Sequence, residues 1–290
     1  MSKPAAPRAI FISHGSPALA IEDAPARDFL ANFHAAAGRP RAILCVSAHW
    51  ETETPMLGGA PRPETIHDFH GFPRELHRLD YPAPGAPDLA KRAARLLNDA
   101  GFPAGIDEAR GLDHGAWSPL LLAYPEADVP VVQLSVQPRR DARHHLAVGR
   151  ALASLLAEDV LVLGSGAVTH NLREFGRYRA HDAAPDYVGE FDAWLERALL
   201  AGDEAALLDW ENAPHAARNH PSPEHFLPLF AALGAAGAAP KARRLHASIS
   251  YGILSMAAYA FEPACLTAPN ARVNQRPAQP TPGSINARSN

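Results

Sequence analysis

Ile43-Leu44-Cys45-Val46-Ser47-Ala48-His49-Trp50-Glu51 is an apolar run that stops at a histidine. A short run of Ile, Leu and Val reads as a strand buried on both faces, and its first polar residues mark where the backbone leaves the core. That puts His49 at the mouth of a strand. The design recurs at Ala9-Ile10-Phe11-Ile12-Ser13-His14-Gly15 and at Val160-Leu161-Val162-Leu163-Gly164-Ser165-Gly166-Ala167-Val168-Thr169-His170, and more loosely at Gly111-Leu112-Asp113-His114-Gly115. In open α/β sheets, ligands gather beyond the carboxyl ends of the parallel strands, so histidines delivered there from distant sequence can converge. The expected fold is therefore α/β: a single domain over residues 1–263, with a central, mostly parallel sheet flanked by helices and a histidine-lined, metal-bearing active site at the strand C-terminal ends. Residues 264–290, rich in Pro, Asn, Arg and Ser, read as an extended or disordered C-terminal tail.

Composition narrows the partners. With 47% hydrophobic residues in a chain of 290, there is ample material for a sizeable core. A formal net charge of −4, with both signs spread throughout, gives no electrostatic footprint for nucleic acid or an anionic membrane. No apolar run approaches the roughly 20 residues of a membrane helix, and the N-terminus lacks the apolar core of a signal peptide. Cys45 and Cys265 form no spaced cluster, which suits a reducing compartment. A cytoplasmic protein is expected, a monomer or small homo-oligomer, with no nucleic-acid and no membrane partner. The 28 prolines, distributed rather than periodic, point to many fixed turns, and loops are where a site is built.

Along the chain, His14-Gly15-Ser16-Pro17 reads as a turn. A helix is expected over Ala26 to Ala37, capped by Asp23, then the strand ending at His49. Residues 51–85 form a long Pro-rich insertion whose aromatics Phe69, Phe72 and Tyr81 either wall a pocket or fold back onto the core. Helices are read over Asp88 to Asp99 and over Asp141 to Leu156, with a short apolar helix that follows the Gly111 to Leu120 stretch and ends at Tyr124, and a buried strand at Val131 to Val136. Gly164-Ser165-Gly166 lacks the lysine and glycine spacing of a phosphate loop and reads as a turn. Residues 186–210 look helical in two pieces, broken at Gly202-Asp203. Ser222 is read as the cap and Pro223 as the first residue of a helix holding Glu224 and His225 in its first turn. A final apolar segment runs from Ile249 to Tyr259.

A lone histidine is more often structural than a ligand, and His34, His77, His144, His145, His181 and His246 take that reading. His14, His49, His114 and His170 differ because each follows an apolar strand or a Gly-rich turn. Imidazoles suit Zn, Fe, Cu and Ni alike. There is no His-Glu-x-x-His helix and no cysteine cluster, against the common peptidase and structural zinc patterns, and no serine lies in a nucleophile-elbow setting.

Taken together, six ordered blocks resemble the class III extradiol ring-cleavage dioxygenases, in the 4,5-DOPA extradiol dioxygenase-like branch of the LigB-like superfamily. They are Ser13-His14-Gly15-Ser16-Pro17; Ser47-Ala48-His49-Trp50-Glu51; His67-Asp68-Phe69 with Gly71-Phe72-Pro73; Gly111-Leu112-Asp113-His114-Gly115-Ala116-Trp117; Gly164-Ser165-Gly166 with Thr169-His170-Asn171-Leu172; and Glu224-His225-Phe226-Leu227-Pro228. The resemblance implies His14, His49 and His225 as metal ligands. It implies His170 as the acid/base, a histidine that in some members also approaches the metal, and His114 as a second active-site histidine holding substrate or dioxygen. Two-subunit protocatechuate enzymes of the superfamily use a carboxylate in place of the third histidine, which makes Glu224 the fallback for His225.

The implied activity is Fe(II)-dependent cleavage of a catechol, DOPA-like or otherwise substituted, by O2 to a muconic semialdehyde, with Zn(II) able to take the same ligands without the redox chemistry. A histidine of near-neutral pKa would take a catechol proton and return it. Two rivals stand beside it: a zinc-dependent hydrolase of a small amide or ester, and a non-catalytic binding protein like the Memo proteins, which share the fold.

Overall fold

A computed structural model describes residues 6–179 and 182–263. The strands are β1 (Ala9–Ser13), β2 (Ala42–Glu51), β3 (Met56–Gly58), β4 (Gly105–Asp107), β5 (Val131–Val136), β6 (Val160–Gly166), β7 (Lys241–His246), β8 (Ile249–Ser250), β9 (Leu254–Ser255) and β10 (Ala258–Glu262). Eight of them form one sheet in the order β4-β3-β5-β2-β6-β1-β10-β7. The middle four, β5, β2, β6 and β1, are parallel. β3 runs antiparallel to β5 on one side, and β10 antiparallel to β1 on the other.

The helices are α1 (Pro25–Ala31), α2 (His34–Ala37), α3 (Pro87–Asp99), α4 (His114–Ala123), α5 (Ala142–Ala151), α6 (Asp186–Ala201), α7 (Glu204–Leu208), α8 (Ala216–Asn219) and α9 (Leu227–Ala235). The parallel strands read as continuous apolar runs because both their faces are covered. Alternate residues feed two separate cores. Phe11, Leu44, Val46 and Val162 pack with α3, α5, α6 and α9. Ile10, Ile12, Ile43, Leu161 and Leu163 pack with α1 and α4 on the other face. The fold expected from the sequence is the one found: a single α/β domain with a large, mostly parallel sheet between helices. The expected tail, Cys265 and His181 lie outside the described residues.

Local differences have physical causes. The helix expected over Ala26 to Ala37 is two short ones: the Asn32 side chain donates to the Asp28 carbonyl and the chain turns at Phe33. Asp23 does not cap it; Ala24 holds the cap position, with Pro25 opening the helix. Asp141 does cap its helix, accepting from the His144 amide, but α5 tightens into 3-10 geometry from Ala153. Ser222 bonds the Glu224 carboxylate instead of capping, and α9 starts only at Leu227. The final apolar segment is the small hairpin β8-β9 followed by β10, and its partner β7, Lys-Ala-Arg-Arg-Leu-His, is a half-exposed edge strand that carries too little hydrophobic signal to be read.

The parallel strands end level with one another. Ser13 pairs with Gly166 and Ser47 with Ser165, so the residues that follow, from chain positions far apart, emerge along one edge of the sheet.

Candidate active site and metal centre

Gly15, with φ of 71°, turns the chain out of β1 just after His14, whose amide still donates to the Gly166 carbonyl at 2.9 Å. β2 keeps strand geometry through Glu51, but its pairing with β6 stops at Ser47 and its register with β5 shifts between Val46 and Glu51, so His49 stands in the irregular end of the strand. Gly164-Ser165-Gly166 is the end of β6 and not a turn. Its glycines let another segment come close: a Cβ on Gly166 would lie 2.1 Å from the His225 carbonyl oxygen, which accepts from the Ala167 amide at 2.8 Å. This contact seats His225 against the strand ends. His114 opens α4 instead of ending a strand.

The Nε2 atoms of His14 and His49 lie 3.0 Å apart, and those of His225 and His49 3.2 Å apart. The outer nitrogens each have another partner. Nδ1 of His14 lies 3.0 Å from Ser165 Oγ, and because the Ser165 hydroxyl donates to the Gly115 carbonyl, its oxygen is left to accept from that ring. Nδ1 of His225 donates to Glu224 Oε1 at 2.9 Å, and Nδ1 of His49 faces Asp68 Oδ2 at 3.5 Å. With His14 and His225 protonated on Nδ1, their Nε2 atoms carry lone pairs toward His49, which holds at most one Nε2 proton to share. At least one pair of lone pairs then faces across hydrogen-bond distance. A cation between them removes the conflict.

The spacing suits one. Two nitrogens about 2.1 Å from a common ion lie about 3.0 Å apart at a right angle and about 3.4 Å apart at the tetrahedral angle. The histidines are also neutral, as ligands must be. Burial, then the charges of the neighbouring imidazoles, hold His14 and His225 well below the usual histidine range. Burial and His114 push His49 down to about 3, against the pull of Asp68. A second group, His170, Glu224 and His225, has ligand atoms within 4.8 Å of one another and shares His225 with the first.

The remaining two histidines complete a cavity of about 510 Å³ above these atoms. His170 stacks on His225 at 3.4 Å between ring centroids and 12° between planes. Burial, helped by the charge of His114, pushes its pKa down to about 4, lower than the near-neutral value its assigned role suggested. His114 Nδ1 lies 2.9 Å from Asp68 Oδ1, which also accepts the His114 amide at 2.9 Å. Burial alone would raise the Asp68 carboxyl, but its hydrogen bonds from His114 and the charges of His114 and His49 outweigh it and bring it to about 2.

All five site histidines expected from the sequence thus stand together. What the sequence reading missed are the residues that hold them. Asp68 lay in a quoted block without a role, and it serves both His114 and His49. Ser47, whose Oγ accepts the His49 amide at 3.2 Å, donates at 2.7 Å to the buried carboxylate of Asp113. A small hydroxyl at the end of an otherwise apolar strand, as at Ser13, Ser47 and Ser165, was the available signal. Of the three aromatics of the insertion, Phe69 and Phe72 line the cavity, whereas Tyr81 is buried elsewhere with its hydroxyl on the Tyr124 carbonyl.

A doubly covered α/β sheet with neutral, backed imidazoles at its strand ends is the setting of an enzyme site whose histidine groups could hold a metal ion. The model of the LigB family, described as the catalytic LigB subunit of aromatic ring-opening dioxygenase, matches residues 8–262, and the chain belongs to that family. It is 46% identical over 256 residues to 4,5-DOPA dioxygenase extradiol of Beta vulgaris, covering 87% of this chain and 95% of that protein. To the Escherichia coli (strain K12) protein of the same name it is 38% identical over 231 residues, covering 78% and 84%. The crystal structure of an uncharacterized Escherichia coli K12 protein matches with a TM-score of 0.71 at 32% identity, over 86% of this chain and 97% of that one. The chain is an extradiol ring-cleavage dioxygenase, an activity that implies a small aromatic substrate and O2. Among the described residues no helix is long and apolar enough to cross a membrane.

Proposed function

We propose that the chain is a non-haem Fe(II)-dependent extradiol dioxygenase that opens a substituted catechol to a muconic semialdehyde. In this reading His14, His49 and His225 hold the iron, His170 is the acid/base, and His114 binds the substrate or dioxygen. The observation that supports it most is the convergence of three Nε2 atoms within 3.2 Å steps, each ring backed at its other nitrogen, beneath a cavity that two further histidines line.

Bound Fe(II) would supply the redox and Lewis-acid chemistry that O2 and a catechol need, which Zn(II) in the same place would not. The chain's own residues do the rest. His170, neutral at physiological pH because burial holds its pKa near 4, accepts a proton from a catechol hydroxyl and, once charged, returns it readily during ring opening. His114, with Nδ1 engaged by Asp68, keeps Nε2 for a partner in the cavity. Phe69 and Phe72, edge to face at 5.3 Å, offer an aromatic wall to a flat ring and help exclude water.

The test is oxygen uptake by Fe(II)-reconstituted protein over a catechol panel, with absorbance followed for a yellow semialdehyde. Stoichiometric uptake with a ring-opened product is expected. Ester or amide hydrolysis by the Zn(II) form without air, and no uptake with any catechol, would replace this reading with that of a hydrolase.

A further inference from the structure

We propose that the site selects catechols whose ring substituent is apolar and uncharged, such as an alkyl group, over the zwitterionic amino-acid side chain that DOPA carries. This rests on the catechol reading above and concerns the upper half of the same cavity.

Above the histidines the lining is Pro17, Phe69, Phe72, Leu172, Phe175 and Leu254. Two of these are out of place for a soluble surface: Leu172 is 59% exposed and Phe175 43%. Among the described residues only Ile21 and Leu200 are comparable, and neither lines this cavity. Exposed large apolar groups gathered at a cavity mouth mark a surface made to be covered by a ligand. The turn that carries them cannot collapse inward, because it is anchored from beneath. Glu174, buried between them, accepts from Tyr187 at 3.0 Å and from both the Nε and the Nη2 of Arg218 at 2.9 and 3.1 Å. Asn171 donates to the Arg218 carbonyl at 2.7 Å.

Charge is arranged the other way. Among the described residues no lysine or arginine lines the cavity. Arg218 is engaged by Glu174, and Arg110 by Asp113 at 3.0 Å. The one lining carboxylate, Asp68, already accepts twice from His114 and faces His49. Apart from the site histidines, the other polar lining side chains are the Ser16 hydroxyl and the His70 imidazole. Among the described residues that line the cavity, the carboxylate of a bound amino acid would meet phenyl and isobutyl groups and no arginine or lysine, and its ammonium only a carboxylate in use. A propyl chain would meet the same groups and gain by covering them.

Two measurements on the full chain test this. With Fe(II)-loaded protein, kcat/KM for 4-propylcatechol is expected to be ten- to a hundredfold above that for DOPA, mostly through KM. With Zn(II)-loaded protein in the absence of O2, calorimetric binding of the two compounds should show the same order. Phe175→Arg, which places a cation at the rim, should reduce the ratio at least tenfold in both. Equal or better binding and turnover of DOPA would overturn the selectivity and leave the catechol activity standing. No oxygen uptake with any catechol would overturn the activity, and the binding order would then still decide the selectivity; if neither compound binds, both fall.

Discussion

At the floor of the cavity His14, His49 and His225 are each fixed through the second ring nitrogen by a different partner, whereas at its rim Leu172 and Phe175 face solvent from a turn pinned only at its base. As the proposed metal site, the floor has to hold three nitrogens to a fraction of an ångström, and it is made from strand ends, close backbone approach and buried hydrogen bonds. The rim must accept a substituent of variable shape, and chain placement there constrains little else. Precision and choice are therefore separable, and mutations should sort the same way.

The largest effect is expected at the floor. His14→Ala should lose both bound metal and turnover, read by metal analysis and oxygen uptake; normal turnover would remove His14 from the ligand set. His170→Ala should keep its metal and lose about a hundred- to ten-thousandfold in kcat. Retained kcat there would move the acid/base role elsewhere. Asp68→Asn, which leaves the floor standing but loosens two rings at once, should cost about ten- to a hundredfold in metal affinity or activity, measured by competitive chelation and by the nitrogen shifts of the histidine rings. Chelation of the metal should lower the unfolding free energy by about 4 kcal/mol relative to protein in about a thousandfold excess of ion over Kd, by denaturant titration. At the rim, Phe175→Ala should change folding stability by less than about 0.5 kcal/mol while still altering KM. A large loss of stability there would mean that the rim is part of the core after all.

The division also explains what could be read from sequence. Strands β1, β2 and β6, buried on both faces, announce themselves as unbroken runs of Ile, Leu and Val, and the histidines that follow them stand out for that reason. His114 was found by its glycine-flanked motif despite sitting on a helix start. Asp68, Ser47 and Ser165 act through distances set by tertiary packing, across separations such as the 151 residues between His14 and Ser165, and no local pattern encodes those. Edge strand β7, with Lys, Arg and His on half-exposed positions, was invisible for the opposite reason: its ladder with β10 needs little hydrophobic burial. Glycines 164 and 166 were noticed but misassigned, because close backbone approach and a turn ask for the same residue.

The contact between Gly166 and the carbonyl of His225 has a temporal consequence. His49 and His225 are 176 residues apart, and a growing chain still short of that second histidine possesses two of the three imidazoles with nothing to close the set. With the proposed ligand set, ion capture comes only after the segment carrying His225 has docked on the strand ends, so that loading the protein during synthesis would gain little over loading it after release.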